Sequence, residues 1–345
     1  MAYAAITKPT DYFNTKLYTG DGTDGRAITG VGFQPDFVWS KSRSFANGHF
    51  IYDAVRGANK KLRSDGTDAE STTTFFDSFD SDGFTIDSNA NVNGNGSTYV
   101  TWNWKANGQG SSNTDGSINT TYTSANTTAG FSISTYTGTG SAATIGHGLG
   151  VKPSMIIVKN LSSSSYGWYV YHKSIAATHE ILLNSNAAKD TTSQWNDTEP
   201  TSSVFSVGTA AATNGSGNNL VAYCFAEKKG YSKFGSYTGN GNANGAFVYT
   251  GFKPAWVMVK RTDDTHNWWM WDNKRDPENL VNQYLYANLN NAEGTDTWGD
   301  FLSNGFKLRM NYSGGNASGG TYIYMAFAEE PLVANVGNSI PATAR

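Results

Sequence analysis

The chain has 345 residues, of which 38% are hydrophobic, 14% aromatic and only 15% charged, with 38 Gly and a formal net charge of −3. Much aromatic and glycine content with little charge describes an all-β protein with many turns and argues against disorder. No basic cluster builds the footprint of a nucleic-acid binder, the lone Cys224 excludes a disulfide framework, and no run reaches the roughly 18 apolar residues of a membrane span.

The first residues, Met1-Ala-Tyr-Ala-Ala-Ile-Thr-Lys8, lack a basic region followed by an apolar one, so no secretory signal is expected. Residues 1–16 read as an arm leading into a phrase that is written three times. Tyr18-Thr-Gly-Asp-Gly22 returns as Tyr136-Thr-Gly-Thr-Gly140 and Tyr237-Thr-Gly-Asn-Gly241, and a proline follows each Tyr by 17 residues, at Pro35, Pro153 and Pro254. Such regular spacing marks one structural unit used three times. The glycines supply a tight turn, each proline is placed at the start of a strand, and each apolar run after it ends on Lys41, Lys159 or Lys260. Runs such as Met155 to Val158 and Trp256 to Val259 predict strands covered on both faces.

A second shared strand follows, His49 to Asp53, Trp168 to His172 and Trp268 to Asp272, and each copy closes on an aromatic strand ending at Trp104, Phe225 or Phe327. The Asn/Gly/Ser runs before those strands, 91–97, 213–219 and 313–320, have the composition of exposed hairpin loops. The spacing therefore predicts an all-β chain of three tandem β-sandwich-like (jelly-roll or lectin-like) domains at 17–107, 130–230 and 231–331. A Gly/Ser/Asn/Thr linker, flexible or extended along a neighbour, is expected at 108–129, with unit one the most independently placed. A patternless tail is expected at 332–345.

Chemistry is sparse in this pattern. Asp77, Asp80, Asp82 and Asp87 could collect a hard cation, but their spacing misses the helical calcium loop and copy three has Asn304 in place of Asp82, which favours a polar turn. His49, His147, His172, His179 and His266 are scattered, no nucleophile elbow is present, and Cys224 lies in an apolar strand. Trp268, Trp269 and Trp271 could stack on a sugar. Alternation, however, puts Trp269 and Trp271 on one face and Trp268 with Met270 on the other, as in core packing; Trp39, Trp102, Trp104 and Trp256 read the same way. No catalytic, cofactor-binding or metal-ligating residue is assigned. Recognition is expected where the copies disagree, around 58–74, 187–203 and 276–299.

The phrases Gly30-Val-Gly-Phe-Gln-Pro-Asp-Phe-Val-Trp39, Tyr52-Asp-Ala-Val-Arg-Gly57, Phe79-Asp-Ser-Asp-Gly-Phe84, Tyr231 to Gly241 and Tyr322-Ile-Tyr-Met-Ala-Phe-Ala-Glu329 resemble tandem-repeat virion proteins, structural or tail-fibre-like, of marine tailed bacteriophages. The resemblance runs from about Asp11 to Arg345. It implies a non-enzymatic virion component, assembled in the host cytoplasm, whose partners are other virion proteins, copies of itself (a trimer if it is a fibre) and a host-surface glycan or protein. Capsid decoration and a glycan-degrading enzyme are the alternatives. The family offers no catalytic residues to carry over.

Overall fold

The computed structural model describes residues 4–332 and is all-β, with antiparallel sheets and short helical turns. The expected tail, 333–345, lies outside the described residues. Each repeat builds the same four-stranded nucleus. In unit one its order is Phe13–Thr19, Thr98–Trp104, Phe37–Ser42 and Phe50–Asp53. Unit two uses Phe131–Thr137, Asn219–Phe225, Met155–Asn160 and Trp168–His172, and unit three uses Ser232–Thr238, Thr321–Pro331, Phe252–Arg261 and Trp269–Asp272. The repeat tyrosines share one register, Tyr18 opposite Tyr99, Tyr136 opposite Leu220 and Tyr237 opposite Tyr322. Pro35 and Pro153 precede their strands as expected. Pro254 lies inside its strand, at a bulge where the ladder shifts register and a missing N–H does least harm.

Alternation along these strands makes two kinds of core. Val38, Ile156, Val158, Val257 and Val259 face outward into a core private to each unit, with Phe84, Phe205 and Phe306 on the covering strands. Phe37, Trp39, Met155, Ile157, Trp256 and Met258 face inward, and there the three units meet in one continuous core. Phe13 stacks on Phe327 at 5.0 Å between ring centroids, Phe37 meets Tyr223 edge-on at 4.8 Å, and Trp104 meets Trp256 at 5.7 Å. Burying aromatics of this size contributes strongly to stability, so the units are held together by a true core and not by surface contact alone.

That shared core corrects the expected independence of unit one. Of the two readings of 108–129, flexible or extended along a neighbour, the structure has the second. Tyr122–Asn126 joins the edge of the second unit's sheet, Ile118 is buried and bridges Ile145 in parallel, and Ser111 pairs with Thr123. A chain with few large side chains still forms sheet where a neighbouring strand offers its backbone edge, because ladder hydrogen bonds need no side chain. At the other end the described part of the arm is packed down: Ala4 and Ile6 are buried, and Ala5 donates its N–H to Lys229 O at 2.8 Å.

Candidate functional site

The thrice-written glycine phrase is a lock rather than a ligand loop. In each unit a four-residue helical turn, Ala90–Asn93, Ala211–Asn214 or Ser313–Asn316, presents a fully buried asparagine, Asn93, Asn214 or Asn316. The phrase wraps around it. Asn214 Oδ1 accepts from Thr139 N at 2.9 Å, its backbone O accepts from Gly140 N at 2.8 Å, and Tyr136 OH donates to the adjacent Thr213 O at 2.7 Å. Asp21 with Gly22 and Tyr18, and Asn240 with Gly241 and Tyr237, repeat the arrangement on Asn93 and Asn316. A Cβ on Gly138 would lie 2.4 Å from Gly215 O, and Gly140 sits at φ 72°, so the glycines are demanded by backbone contact. The runs expected to be exposed hairpin loops are thus anchored through their asparagines.

A second triplicate pattern lies at the junctions. Lys41, Lys159 and Lys260 are fully buried without a carboxylate at salt-bridge distance among the described residues, and each ammonium spans two units. Lys41 donates to Ser42 O and, at 3.4 Å, to Asn290 O of unit three. Lys159 donates to Asn160 O, Tyr166 O and, at 3.0 Å, Thr67 O of unit one; Lys260 donates to Arg261 O and, at 3.3 Å, Asn186 O of unit two. Burial pulls their pKa values down to about 8, about 8 and about 7.

One residue of the second shared strand adds a ring N–H to each clasp. Trp168 Nε1 donates to Arg63 O at 2.7 Å and Trp268 Nε1 to Leu182 O at 2.9 Å. His49 takes the same place in unit one. Its Nδ1 accepts from Trp39 Nε1 at 2.8 Å, which leaves Nε2 to donate to Tyr286 O at 2.8 Å, and burial holds the ring neutral with its pKa pushed down to about 3. Backbone bonds complete the set: Glu70 N to Leu161 O, Lys189 N to Thr262 O and Glu293 N to Arg43 O. Unit one therefore clasps unit two, two clasps three, and three clasps one, a closed cycle.

Most of the segments that close this cycle belong to the regions expected to recognise a ligand, 58–74, 187–203 and 276–299, with Leu182 and Asn186 just ahead of the second. Most of their clasping atoms are backbone carbonyls and amides, which any side chain can supply. Their sequences could therefore diverge while the clasp persisted, and divergence there does not by itself mark recognition.

The remaining candidates divide cleanly. Asp82 accepts from Gly30 N and Gly32 N, Asp80 from Ser78 and Thr85, and Asp87 from Asn89 N and Thr74, so they brace turns, while Asp77 is exposed. The described residues contain no group of three or more His, Cys, Asp or Glu arranged to hold a metal ion. Trp268 and Met270 join the shared core, whereas Trp269 and Trp271 join the private one, as alternation predicts; Trp39, Trp102, Trp104 and Trp256 are buried in the shared core. Cys224 is buried in the private core of unit two, and burial drives its thiol pKa up. His172 is a buried junction residue, donating from Nε2 to Tyr324 O at 3.2 Å, with its pKa pushed down to about 4 by burial. His147 bonds Thr201 O, His179 contacts Thr178, and His266 lies beside Arg261. The buried asparagines and junction lysines escaped sequence reasoning. The signal was present in Lys41, Lys159 and Lys260, a charge recurring at one position of an apolar strand.

No described helix is long and apolar enough to cross a membrane. Residues 8–331 match a family described as a domain of unknown function, DUF7483. No curated protein and no solved structure matches the chain.

Proposed function

The chain belongs to the DUF7483 family, and since that description carries no activity, we propose one from the geometry: a non-enzymatic structural protein of a bacteriophage virion, tail-fibre-like, that contributes to attachment at the host surface. The reading takes each repeat as a β-sandwich-like unit. The observation that carries it is the closed cycle of clasps around one aromatic core, in which chain segments of all three repeats are spent on rigidity. A scaffold of this kind holds surface features in fixed relative positions, so weak contacts to a repetitive surface act together. The repeat phrases that resemble tailed-phage virion proteins point the same way.

The cycle also favours a second reading within the virion. Three equivalent units around one core present near-threefold surroundings, which suit a capsid component seated where three neighbours meet. Copies of the chain need not trimerise to supply that symmetry. The two readings separate in electron microscopy of intact particles labelled with an antibody to the protein. Label on tail appendages, with purified protein binding host cells, supports attachment; label confined to the capsid, with no cell binding, replaces it with the second reading; particles without label sink both.

A further inference from the structure

One position of the repeat carries three different chemistries. Leu62, Ile181 and Leu285 pair with Ile51, Val170 and Met270 of the adjoining strands, which makes the residues before them, Lys61, Glu180 and Tyr284, structural counterparts. In unit three the space beside this position is filled. Tyr284, Tyr286 and Tyr312 pack on Trp269 with ring centroids 4.7, 4.7 and 5.7 Å away.

In unit one the corresponding space is a cavity of about 330 Å³ beside Lys61 and Arg63, with Asn91 and Asn290 on its wall. Its position at the junction of units one and three follows from Asn290, whose carbonyl belongs to the clasp on Lys41. The Lys61 ammonium sits 5.3 Å from the centre of the Phe50 ring and 5.1 Å from that of Phe75, so two phenyl rings fix where the charge stands. Arg63 is occupied by Asp65 at 2.7 Å and Asp68 at 3.6 Å. The Lys61 ammonium, by contrast, has no carboxylate at salt-bridge distance and no hydrogen bond among the described residues, and no carboxylate lines the cavity. The side-chain amides of Asn91 and Asn290 likewise make no hydrogen bond among the described residues. Burial pulls the Lys61 pKa down, a penalty that an anion in the cavity would relieve.

We propose that this cavity binds an anionic saccharide, a sugar unit bearing a carboxylate or sulfate, with Lys61 meeting the charge and the amides of Asn91 and Asn290 meeting hydroxyls. A volume of about 330 Å³ falls in the range of small-molecule sites rather than of a lone oxyanion. Amides beside one unpaired cation match the mixture of neutral and charged acceptors on such a sugar. The ligand class deepens the attachment reading and rests on it for its biological setting.

The test is calorimetric titration of the full chain with trigalacturonate, a sulfated disaccharide, neutral maltotriose and sodium sulfate. Lys61→Met keeps a flexible apolar side chain beside Phe50 and Phe75 while removing the charge, and Asn91→Ala removes one amide; thermal melts confirm that both variants fold. The expected result is binding of an anionic sugar, weakened about tenfold or more by Lys61→Met and by high salt, with weaker binding of maltotriose and sulfate. Carboxylated and sulfated probes identify which anion is preferred. The proposal is overturned by an absence of binding for both anionic sugars at millimolar concentration, by unchanged affinity in Lys61→Met, or by sulfate alone binding as tightly as the sugars. Failure here leaves cell attachment through another face standing, whereas sugar binding without cell attachment removes the attachment reading instead.

Discussion

The junction between units one and two and that between units two and three solve one problem with opposite chemistry. In the first, Asp53 is fully buried, pairs with Arg56 at 2.5 Å and accepts from Tyr223 OH of unit two at 2.7 Å. The junction of units three and one repeats it, with Asp272 paired to Arg275 at 2.6 Å and accepting from Trp102 Nε1 at 3.1 Å. Between units two and three the aspartate is replaced by His172, the arginine by Ile175, and the facing donor by Met325. Methionine has no N–H or O–H to offer, so a buried carboxylate there would lack its cross-unit donor. A neutral histidine instead turns its own N–H to Tyr324 O. The three positions differ together, as they must if no buried charge or polar group is to be stranded.

Breaking an ionic junction should have the largest effect. Asp272→Ala removes the nearer carboxylate of the fully buried Arg275 guanidinium, leaves Glu293 at 3.1 Å as its ionic partner, and strands the Trp102 Nε1 and Arg275 N donors that Asp272 accepts. Urea denaturation is expected to show a loss of about 3–5 kcal/mol. Asp272→His with Arg275→Ile and Trp102→Met, which copies the neutral junction, is expected to recover most of that loss. A triple variant no more stable than Asp272→Ala would show that the two chemistries are not interchangeable.

Next in size is the lock within a unit. Asn214→Ala removes the side chain that accepts from Thr139 N and donates to Ser141 O and Gly208 O. About 2–3 kcal/mol should be lost, since buried backbone groups are left unpaired. The same change at Asn316, which holds Asn242 O and Met310 O, should cost a similar amount if the units are energetically as well as geometrically equivalent.

A smaller effect separates the junctions by pH. Burial holds Lys41, Lys159 and Lys260 at about 8, about 8 and about 7 in the folded chain, below the ordinary lysine value near 10.4. Between those values the unfolded chain binds more protons, so stability should rise with pH from about 7 to 10, by at most about 1.4 kcal/mol per unit for each lysine. Lys260→Met should flatten the lower part of that rise; a slope identical to the parent chain would mean that Lys260 does not titrate there. Smallest of all, Lys61→Met should change stability by about 1 kcal/mol or less, because that ammonium has no carboxylate partner and loses only its contacts with the Phe50 and Phe75 rings.

Much of the scaffold was legible before any coordinates. Alternation in Trp268-Trp-Met-Trp271 assigned each side chain to its face, and the apolar runs at Met155 and Trp256 announced strands covered on both sides, because a period of two is a local property of extended chain. What covers the inner face was not legible, since one apolar residue can pack against its own unit or against two others. The segment 108–129 was left open between flexible and extended along a neighbour for a related reason: it has few apolar side chains, Ile118 among them, and its pairing rests largely on backbone.

Three units, their strands, the turn glycines and the core aromatics were determined by the sequence itself, through local sterics and periodicity repeated at one spacing. Only the tertiary structure decided that the units share a core and clasp one another in a cycle. It also decided that Lys41, Lys159 and Lys260 are buried, and that a cavity stands open at Lys61 where Tyr284 and its neighbours fill unit three. Those outcomes depend on which backbone carbonyls of one unit come to face another, and carbonyls leave no mark in a sequence.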